Sequence, residues 1–417
     1  MTHYVVLGSS AAGLTAIEAI RRRDNDGPIT LISKEPGPAY SRVALPYILS
    51  KEKTLKQITL QDADYFEANR VETMIGVGAA SVDAGTKTVT LDDGRSVSYD
   101  RLLIGTGSAS RVPPVEGIED ADVCYHWTLA DTRKLENQLA NAKSCFVIGA
   151  GFISLLTVSA LVKVANLKYT VVDIAGQVMP QLLDEPGGRA LERAMRAKGV
   201  GVVLGDQVSA ISRGGRGYNI TLKSGATYDA DMIVCGAGVR PNIDFLAGSG
   251  IEVARGIFVN DRQETNDRDV YAAGDCAEGA DFLSGERAVH AIWPTAIDQG
   301  RVAGANMAGD SMTYPGSLSW NVTELFGITM ASVGEFRDSD SWEPIVFQNE
   351  AANTYRKILM DDDHIVGAVV IGRADHVQDL GVVQAMIRRR TDVSRWKHLM
   401  RGERINYGML AYETIKK

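Results

Sequence analysis

The stretch YVVLGSSAAGLTAIEAIRRR, Tyr4 to Arg23, decides how the rest of the chain is read. Tyr4 to Leu7 is a short apolar, β-branched run. Gly8-Ser9-Ser10-Ala11-Ala12-Gly13 is a tight turn, and Leu14 to Arg23 has helical spacing. After Gly27-Pro28 a second strand runs from Ile29 to Ser33 and ends in Lys34-Glu35, completing a βαβ unit. The same grammar returns in mid-chain. Ser144 to Ile148 is apolar, Gly149-Ala150-Gly151-Phe152-Ile153-Ser154 is a turn, Leu155 to Val164 is helical in pattern, and Tyr169 to Val172 ends in Asp173. Two such units in one chain imply two nucleotide-binding domains, and the repetition carries more weight than either unit alone.

Alternating, turn-punctuated segments follow each unit and return to parallel endings, Leu102-Leu103-Ile104-Gly105-Thr106-Gly107 and Ile233-Val234-Cys235-Gly236-Ala237-Gly238. Each reads as a β-meander closing on a buried strand. A helical stretch lies near Thr295 to Met307, and from about Ser319 the chain becomes a mixed α/β tail. Proline places linkers near Val112-Pro113-Pro114 and Arg240-Pro241-Asn242.

The chain of 417 residues is long enough for about two or three domains. Its 45% hydrophobic and 23% charged residues are those of a soluble globular protein, and a formal charge of −8 argues against a nucleic-acid partner. Cys124, Cys145, Cys235 and Cys276 are far apart, form no CxxC or metal-ligand spacing, and read as small buried hydrophobes. With no disulfide framework, no signal-peptide core at the N-terminus and no apolar run of roughly 18 residues, the expectation is a cytoplasmic protein without membrane insertion.

A dinucleotide pyrophosphate binds best where backbone N–H groups at a helix N-terminus face it without intervening side chains. The first turn keeps Gly8 and Gly13 but carries Ser10 at the middle glycine position, small enough for close approach. Glu35 ends the second strand, where a carboxylate can accept from ribose hydroxyls. Alone, the turn also reads as an ordinary strand-to-helix connection and Glu35 as a solvated glutamate. The second turn keeps Gly149 and Gly151, with Ser154 at the third glycine position, where it should loosen helix–strand packing only slightly. Asp173 ends the following strand, and Ile174-Ala175-Gly176-Gln177 includes no arginine. A carboxylate there repels a 2′-phosphate, so NADH is expected in preference to NADPH. A capping or exposed aspartate is the alternative reading.

In this order, the turns, the acidic strand ends, LLIGTG, CGAGVRPN and DVYAAGDCA resemble the FAD-dependent pyridine nucleotide-disulfide oxidoreductases. Within that superfamily the likeness is to ferredoxin and rubredoxin reductases, the flavin part of nitrite reductase, and coenzyme A-disulfide reductases or NADH oxidases, and it covers almost the whole chain. The resemblance implies an α/β fold with two Rossmann-like dinucleotide-binding domains and a small α+β C-terminal domain. Residues 1–112 and 242–318 would form a discontinuous FAD domain, 113–241 the NAD(H) domain and 319–417 the C-terminal interface domain. FAD would meet Gly8, Ser10, Ala12 and Gly13 at its pyrophosphate, Glu35 at its adenosine ribose and Arg42 near its phosphates, while Thr106 and Gly107 would line the FAD side of the inter-domain junction. Asp275, on the Gly274-Asp275 turn, would hydrogen-bond the ribityl chain or cap a helix. Pro294-Thr295-Ala296 would open a helix whose positive end faces the flavin pyrimidine. Trp293 would flank the ring or sit in the core. NAD(H) would meet Gly149, Gly151, Phe152, Ile153, Asp173 and Gly238.

The departures are informative. In YSRVALPY, Tyr40 to Tyr47, the coenzyme A-disulfide reductase branch has a redox cysteine where Val43 stands, and the ferredoxin-reductase branch a lysine where Tyr47 stands. A glutamate that accompanies that lysine is here Leu156. Thiol exchange needs a thiolate, which valine cannot supply. Val43, Tyr47 and Trp293 are thus flavin-flanking candidates, with no protein catalytic residue named and no metal site. Electrons must leave for an external acceptor, an iron–sulfur protein or a partner subunit, because the chain has no cluster-binding cysteine pattern. The loop and compact tail also resemble the NAD-reducing flavoprotein subunit of complexes of the phenylglyoxylate dehydrogenase type. The alternatives are a stand-alone, thiol-independent NADH oxidase or quinone-type reductase, and a non-catalytic flavin-binding subunit.

Overall fold

In a computed structural model, residues 1–215, 217–377 and 380–401 are described; residues 402–417 of the expected C-terminal domain lie outside them. The chain divides into two compact units, the first built from Met1–Ile48, Lys53–Ala109 and Val239–Leu318. Its five-stranded parallel sheet runs in the order Val270–Ala272, Arg101–Ile104, Tyr4–Leu7, Ile29–Ser33, Val71–Ile75. Tyr4 lies opposite both Ile29 and Arg101, and Leu102 opposite Val270. Every residue of the Tyr4–Leu7 and Ile29–Ser33 strands is buried, which explains their mostly apolar composition: a parallel strand is covered on both faces. An antiparallel meander of Ala79–Asp83, Thr88–Leu91 and Ser96–Ser98 follows, as its alternation predicts.

The first helix, Ala11–Arg21, begins three residues before the apolar spacing predicts, because Ala11, Ala12 and Gly13 carry too little side chain to show a period. The Trp293–Met307 helix packs against it almost backbone to backbone. A Cβ on Gly300 would stand 2.3 Å from the Ala12 carbonyl oxygen, and one on Gly304 2.3 Å from that of Ala16. Larger residues at either position would force the two helices apart.

The second unit comprises Leu49–Glu52, Ser110–Gly238 and Ser319–Lys417. Its four-stranded parallel sheet has the order Val200–Leu204, Lys168–Asp173, Ser144–Ile148, Met232–Cys235, followed by the meander Val208–Gly214, Gly217–Leu222, Thr227–Ala230. A five-stranded antiparallel sheet, ordered Trp320–Leu325, Ile328–Gly334, His364–Gly372, Thr354–Asp361, Glu343–Asn349, completes it together with the Leu380–Arg388 helix. Leu325, Phe326, Met330, Tyr355, Val369 and Ile371 of this region share one core with Val147, Leu155 and Val158. At the Arg240-Pro241 linker the backbone remains regular. Val239–Pro241 is a short strand of a two-stranded sheet, and an edge strand tolerates proline's missing N–H. Among the described residues no helix is long and apolar enough to cross a membrane.

His126 is buried just before the Leu129–Leu139 helix, its Nδ1 2.9 Å from Thr157 Oγ1, and its Nε2 has no hydrogen-bond partner. Burial pushes its pKa down from 6.5 to about 4, against a weaker opposing pull from Asp131. As pH falls, the unfolded chain therefore takes up this proton first. The stability that neutral His126 supplies is complete above about pH 6.5 and is lost toward pH 4, an effect of about 3 kcal/mol. Thermal melts of His126→Leu should accordingly fall less steeply between pH 7 and 4.5 than those of the wild type; parallel curves would contradict this assignment.

Candidate functional site

Gly8 adopts φ +111°, and a Cβ there would lie 2.1 Å from the Gly105 carbonyl oxygen; one on Gly13 would lie 1.9 Å from that of Gly8. Strand ends and helix start are thus held at distances only glycine permits. Ser10 is the extended N-cap of the Ala11–Arg21 helix, and its side chain makes no capping hydrogen bond. Gly274, at φ +81°, donates its N–H to Gln299 Oε1 at 2.8 Å, and its Cβ position lies 3.4 Å from the Cβ atoms of both Ala12 and Ala296. Gly8, Ala12, Gly13, Gly274 and Ala296 are therefore gathered at one place. Thr295 and Ala296 are buried in the first turn of the Trp293–Met307 helix, whose N-cap, Ile292, offers no capping side chain.

Glu35, Arg42 and Tyr40 form a cluster. Arg42 pairs with Glu35, the Tyr40 hydroxyl donates to Glu35 Oε2, and the guanidinium lies 5.7 Å from the centre of the Tyr40 ring. Asp275 Oδ2 accepts from Ser108 Oγ at 2.7 Å. Burial raises the Asp275 pKa, while the Ser108 hydrogen bond and the charge of Arg42 oppose it. The Thr106 hydroxyl donates to the Asn242 carbonyl at 2.8 Å and Asn242 Nδ2 returns to the Thr106 carbonyl at 3.0 Å, fixing the Thr106-Gly107 turn. Gly107 has φ +66° and nothing within 4 Å of its Cβ position. Trp293 is half-buried against the core of the first unit. Val43 lies in the 3₁₀ turn Arg42–Ala44 and Tyr47 in the helix Leu45–Leu49, with 57% and 44% of their surfaces exposed.

The second unit repeats the arrangement. Gly149 has φ +98°, and a Cβ there would meet the Gly236 carbonyl oxygen at 2.6 Å. Ser154 occupies space that a Gly236 Cβ would need, and its hydroxyl donates to the Gly236 carbonyl at 3.3 Å, so the serine is accommodated without loosening the contact. Gly151 is the N-cap of the Phe152–Val164 helix, again without a side-chain cap, and Phe152 and Ile153 form its half-buried first turn. Gly238, at φ +95°, is open around its Cβ position. The Asp173 carboxylate accepts from the N–H groups of Ala150 at 2.5 Å and Ala175 at 2.8 Å. Leu156 packs against the core of this unit.

The residues fit dinucleotide ligands. Helices that begin at Leu129 and Glu185 have their first N–H groups capped by Thr128 and Asp184, whereas those that begin at Ala11, Phe152 and Trp293 do not. An anion satisfies such orphan donors and is favoured by the helix dipole. Residues 2–300 match the family of pyridine nucleotide-disulphide oxidoreductases, and residues 321–387 match the rubredoxin NAD+ reductase C-terminal domain. The chain belongs to the pyridine nucleotide-disulphide oxidoreductase family. It is an NAD(H)-dependent oxidoreductase that takes FAD and NAD(H) as cofactors. It is 35% identical over 398 residues to the NADH-dependent phenylglyoxylate dehydrogenase subunit epsilon of Aromatoleum evansii, covering 94% of this chain and 93% of that one. It is 29% identical over 391 residues to an NADH oxidase of Methanocaldococcus jannaschii, covering 88% and 87%. The reductase fold of the covalent putidaredoxin reductase-putidaredoxin complex superposes with a TM-score of 0.89 at 23% identity, over 100% of this chain and 99% of that one, a likeness of fold.

Sequence reading did not single out Ser108, Gln299, Asn242 or Tyr40. Only the spacing Gly300-x-x-x-Gly304 carried a signal of the helix contact. All four cysteines are buried and unpaired, and burial pushes the Cys124 thiol up to about 12, the Cys235 thiol up to about 11, and those of Cys145 and Cys276 also upward.

Gly151→Asp tests the uncapped helix directly, because φ −84° suits any residue and only Gln181 Oε1, 3.9 Å away, approaches the Cβ position. The new carboxylate should cap the helix, worth about a few tenths of a kcal/mol over glycine, and repel a phosphate. Bleaching of the flavin by NADH should be lost while FAD content and melting temperature hold; bleaching at the wild-type NADH concentration would contradict it.

Proposed function

We propose that the chain is an electron-transfer flavoprotein that connects NAD(H) with an iron–sulfur protein or partner subunit, as the NAD+-reducing subunit of a 2-oxoacid dehydrogenase of the phenylglyoxylate type. One observation carries the external acceptor. No cysteine stands at Val43, and all four thiols are buried with pKa values raised by that burial, so none is poised as an exchange nucleophile. Bound FAD supplies the redox chemistry, accepting or giving a hydride at the nicotinamide. The identity with the phenylglyoxylate dehydrogenase subunit along nearly the full length of both chains supports the choice of complex, and the match of residues 321–387 to a rubredoxin-reductase domain supports an iron protein as the other partner.

In this reading residues 1–112 and 242–318 hold FAD, 113–241 hold NAD(H), and 319–417 serve as the interface domain. Gly8, Ser10, Ala12 and Gly13 present the uncapped N–H groups of the first helix to the pyrophosphate. Glu35 turns from Arg42 to the adenosine ribose, leaving the guanidinium for phosphate. Thr106, Gly107 and Gly274 keep the backbone bare beside it, and Asp275, oriented by Ser108, accepts from the ribityl hydroxyls. Thr295 and Ala296 bring the N-terminus of their helix to the flavin, which Val43, Tyr47 and Trp293 flank. Gly149, Gly151, Phe152, Ile153 and Gly238 form the NAD(H) turn. Asp173, held by two backbone N–H groups, faces the ribose and excludes a 2′-phosphate. The relationship to the M. jannaschii NADH oxidase favours a second reading, in which the chain passes electrons to oxygen by itself.

Anaerobic stopped flow of the FAD-loaded protein separates these readings. NADH should bleach the flavin absorbance faster than NADPH, and reoxidation should be fast with an iron–sulfur acceptor and slow with oxygen. Absence of bleaching at millimolar NADH would overturn the proposal; rapid oxygen consumption by the isolated chain would favour the oxidase.

A further inference from the structure

The strand Thr354–Asp361 is buried for all but its last residue, yet it carries a lysine, Lys357, that is only 2% exposed. Packing alone does not call for an ammonium there, since an apolar residue of similar volume serves a core at least as well. Lys357 Nζ lies 2.6 Å from Asp184 Oδ2 and 3.1 Å from Asp338 Oδ1, and the Tyr355 hydroxyl also donates to Asp184 Oδ2. Asp184 is the N-cap of the Glu185–Ala197 helix, its Oδ1 accepting from the Gly187 N–H at 3.2 Å. Asn353, which precedes the strand, grips the same helix: its Nδ2 donates to the Ala190 carbonyl at 3.0 Å and its Oδ1 accepts from Arg193 Nε at 3.0 Å.

From Asp184 the path back to the second glycine turn runs through its peptide bond to Leu183 and from there by hydrogen bonds. The N–H groups of Leu182 and Leu183 donate to the Met179 carbonyl at 3.0 Å each, and Gln177 Nε2 donates to the Leu183 carbonyl at 2.8 Å. The Met179 N–H then donates to the Ala150 carbonyl at 2.9 Å. Met179 is fully buried at φ +53°, a conformation an unbranched L-residue keeps only when its surroundings impose it. Ala150 sits between Gly149 and Gly151, and its own N–H is taken by Asp173 Oδ2. Its carbonyl and its N–H are thus pinned from opposite directions, one by the Met179 loop and the other by the aspartate.

We propose that Lys357, acting through Asp184, is a positioning residue for NAD(H): the antiparallel C-terminal sheet holds the Met179 loop in its left-handed conformation, and that loop fixes the dinucleotide turn. The proposal rests on the reading of the Gly149 turn as the NAD(H) site. It makes nicotinamide-dinucleotide affinity sensitive to what binds the C-terminal sheet, because a disturbance of that strand reaches Ala150 through two residues of buried polar contact and one loop.

Calorimetric binding of NAD+ to the FAD-loaded protein tests it without turnover. In Lys357→Met the dissociation constant should rise roughly tenfold, and in Tyr355→Phe, which removes one hydrogen bond and no charge, roughly threefold. FAD content and the flavin reduction rate at saturating NADH should stay at wild-type values. Amide exchange should quicken at residues 149–153 and 177–184. If Lys357→Met does not fold, Tyr355→Phe decides. Wild-type affinity in the variants, even with a lowered melting temperature, would reduce the pair to a structural role and overturn the proposal. Failure of the wild type to bind NAD+ would instead overturn the functional reading on which it rests.

Discussion

Backbone N–H groups at a helix N-terminus must find a partner, and in this chain the helices that begin at Ala11, Phe152 and Trp293 start without a side chain to provide one. Much of the surrounding architecture keeps those ends bare and correctly aimed. Gly8 and Gly13 allow the first turn to close on Gly105, Gly149 and Gly236 do the same in the second unit, and Gly300 and Gly304 let two of the bare-ended helices meet at backbone distance. A capped helix would be more stable in isolation, and a bulkier turn would be easier to pack. Both would leave no seat for a pyrophosphate.

The chemistry that follows is as much a matter of what these sites lack. A bound flavin can exchange a hydride with nicotinamide without help from a protein nucleophile, so the protein's task is to hold two dinucleotides and to offer the electrons a way out. In thiol-based relatives the exit is a cysteine beside the flavin. In the proposed reading the corresponding side chain is Val43, and the cysteines are buried inside the cores of the two units.

Local and regular features were legible in the sequence. The strands Tyr4–Leu7, Ile29–Ser33 and Ser144–Ile148 fall where the apolar runs place them, because strands covered on both faces are mostly apolar and admit a polar residue only where it finds a partner, as Ser33 does in Ser9. The first helix starts at Ala11, three residues before Leu14, since Ala11, Ala12 and Gly13 carry no period; the helices that begin at Phe152 and Trp293 also start earlier than the expected Leu155 and Thr295, their first residues reading as part of the preceding turn. What stayed hidden depends on residues far apart in the chain. The Ser108–Asp275 bond, the grip of Asn242 on Thr106, and the packing of Ser154 into the space left by Gly236 each join positions separated by 80 or more residues. Lys357 and Asp184 look like ordinary surface charges until the C-terminal sheet brings them together. Near the linker expected at Arg240-Pro241 the chain passes from the second unit to the first, between Gly238 and Val239, and Val239–Pro241 itself is a short strand.

The central claim is that FAD is the chain's one redox centre and that its electrons leave for a separate acceptor. Anaerobic titration of the FAD-loaded protein with NADH, followed at the flavin absorbance and in total electron uptake, addresses this directly. Full reduction at one NADH per FAD, with no further uptake and no new thiols, is the expected result. Uptake of a second equivalent, or the appearance of a charge-transfer band with newly titratable cysteines, would show an internal acceptor and contradict the account.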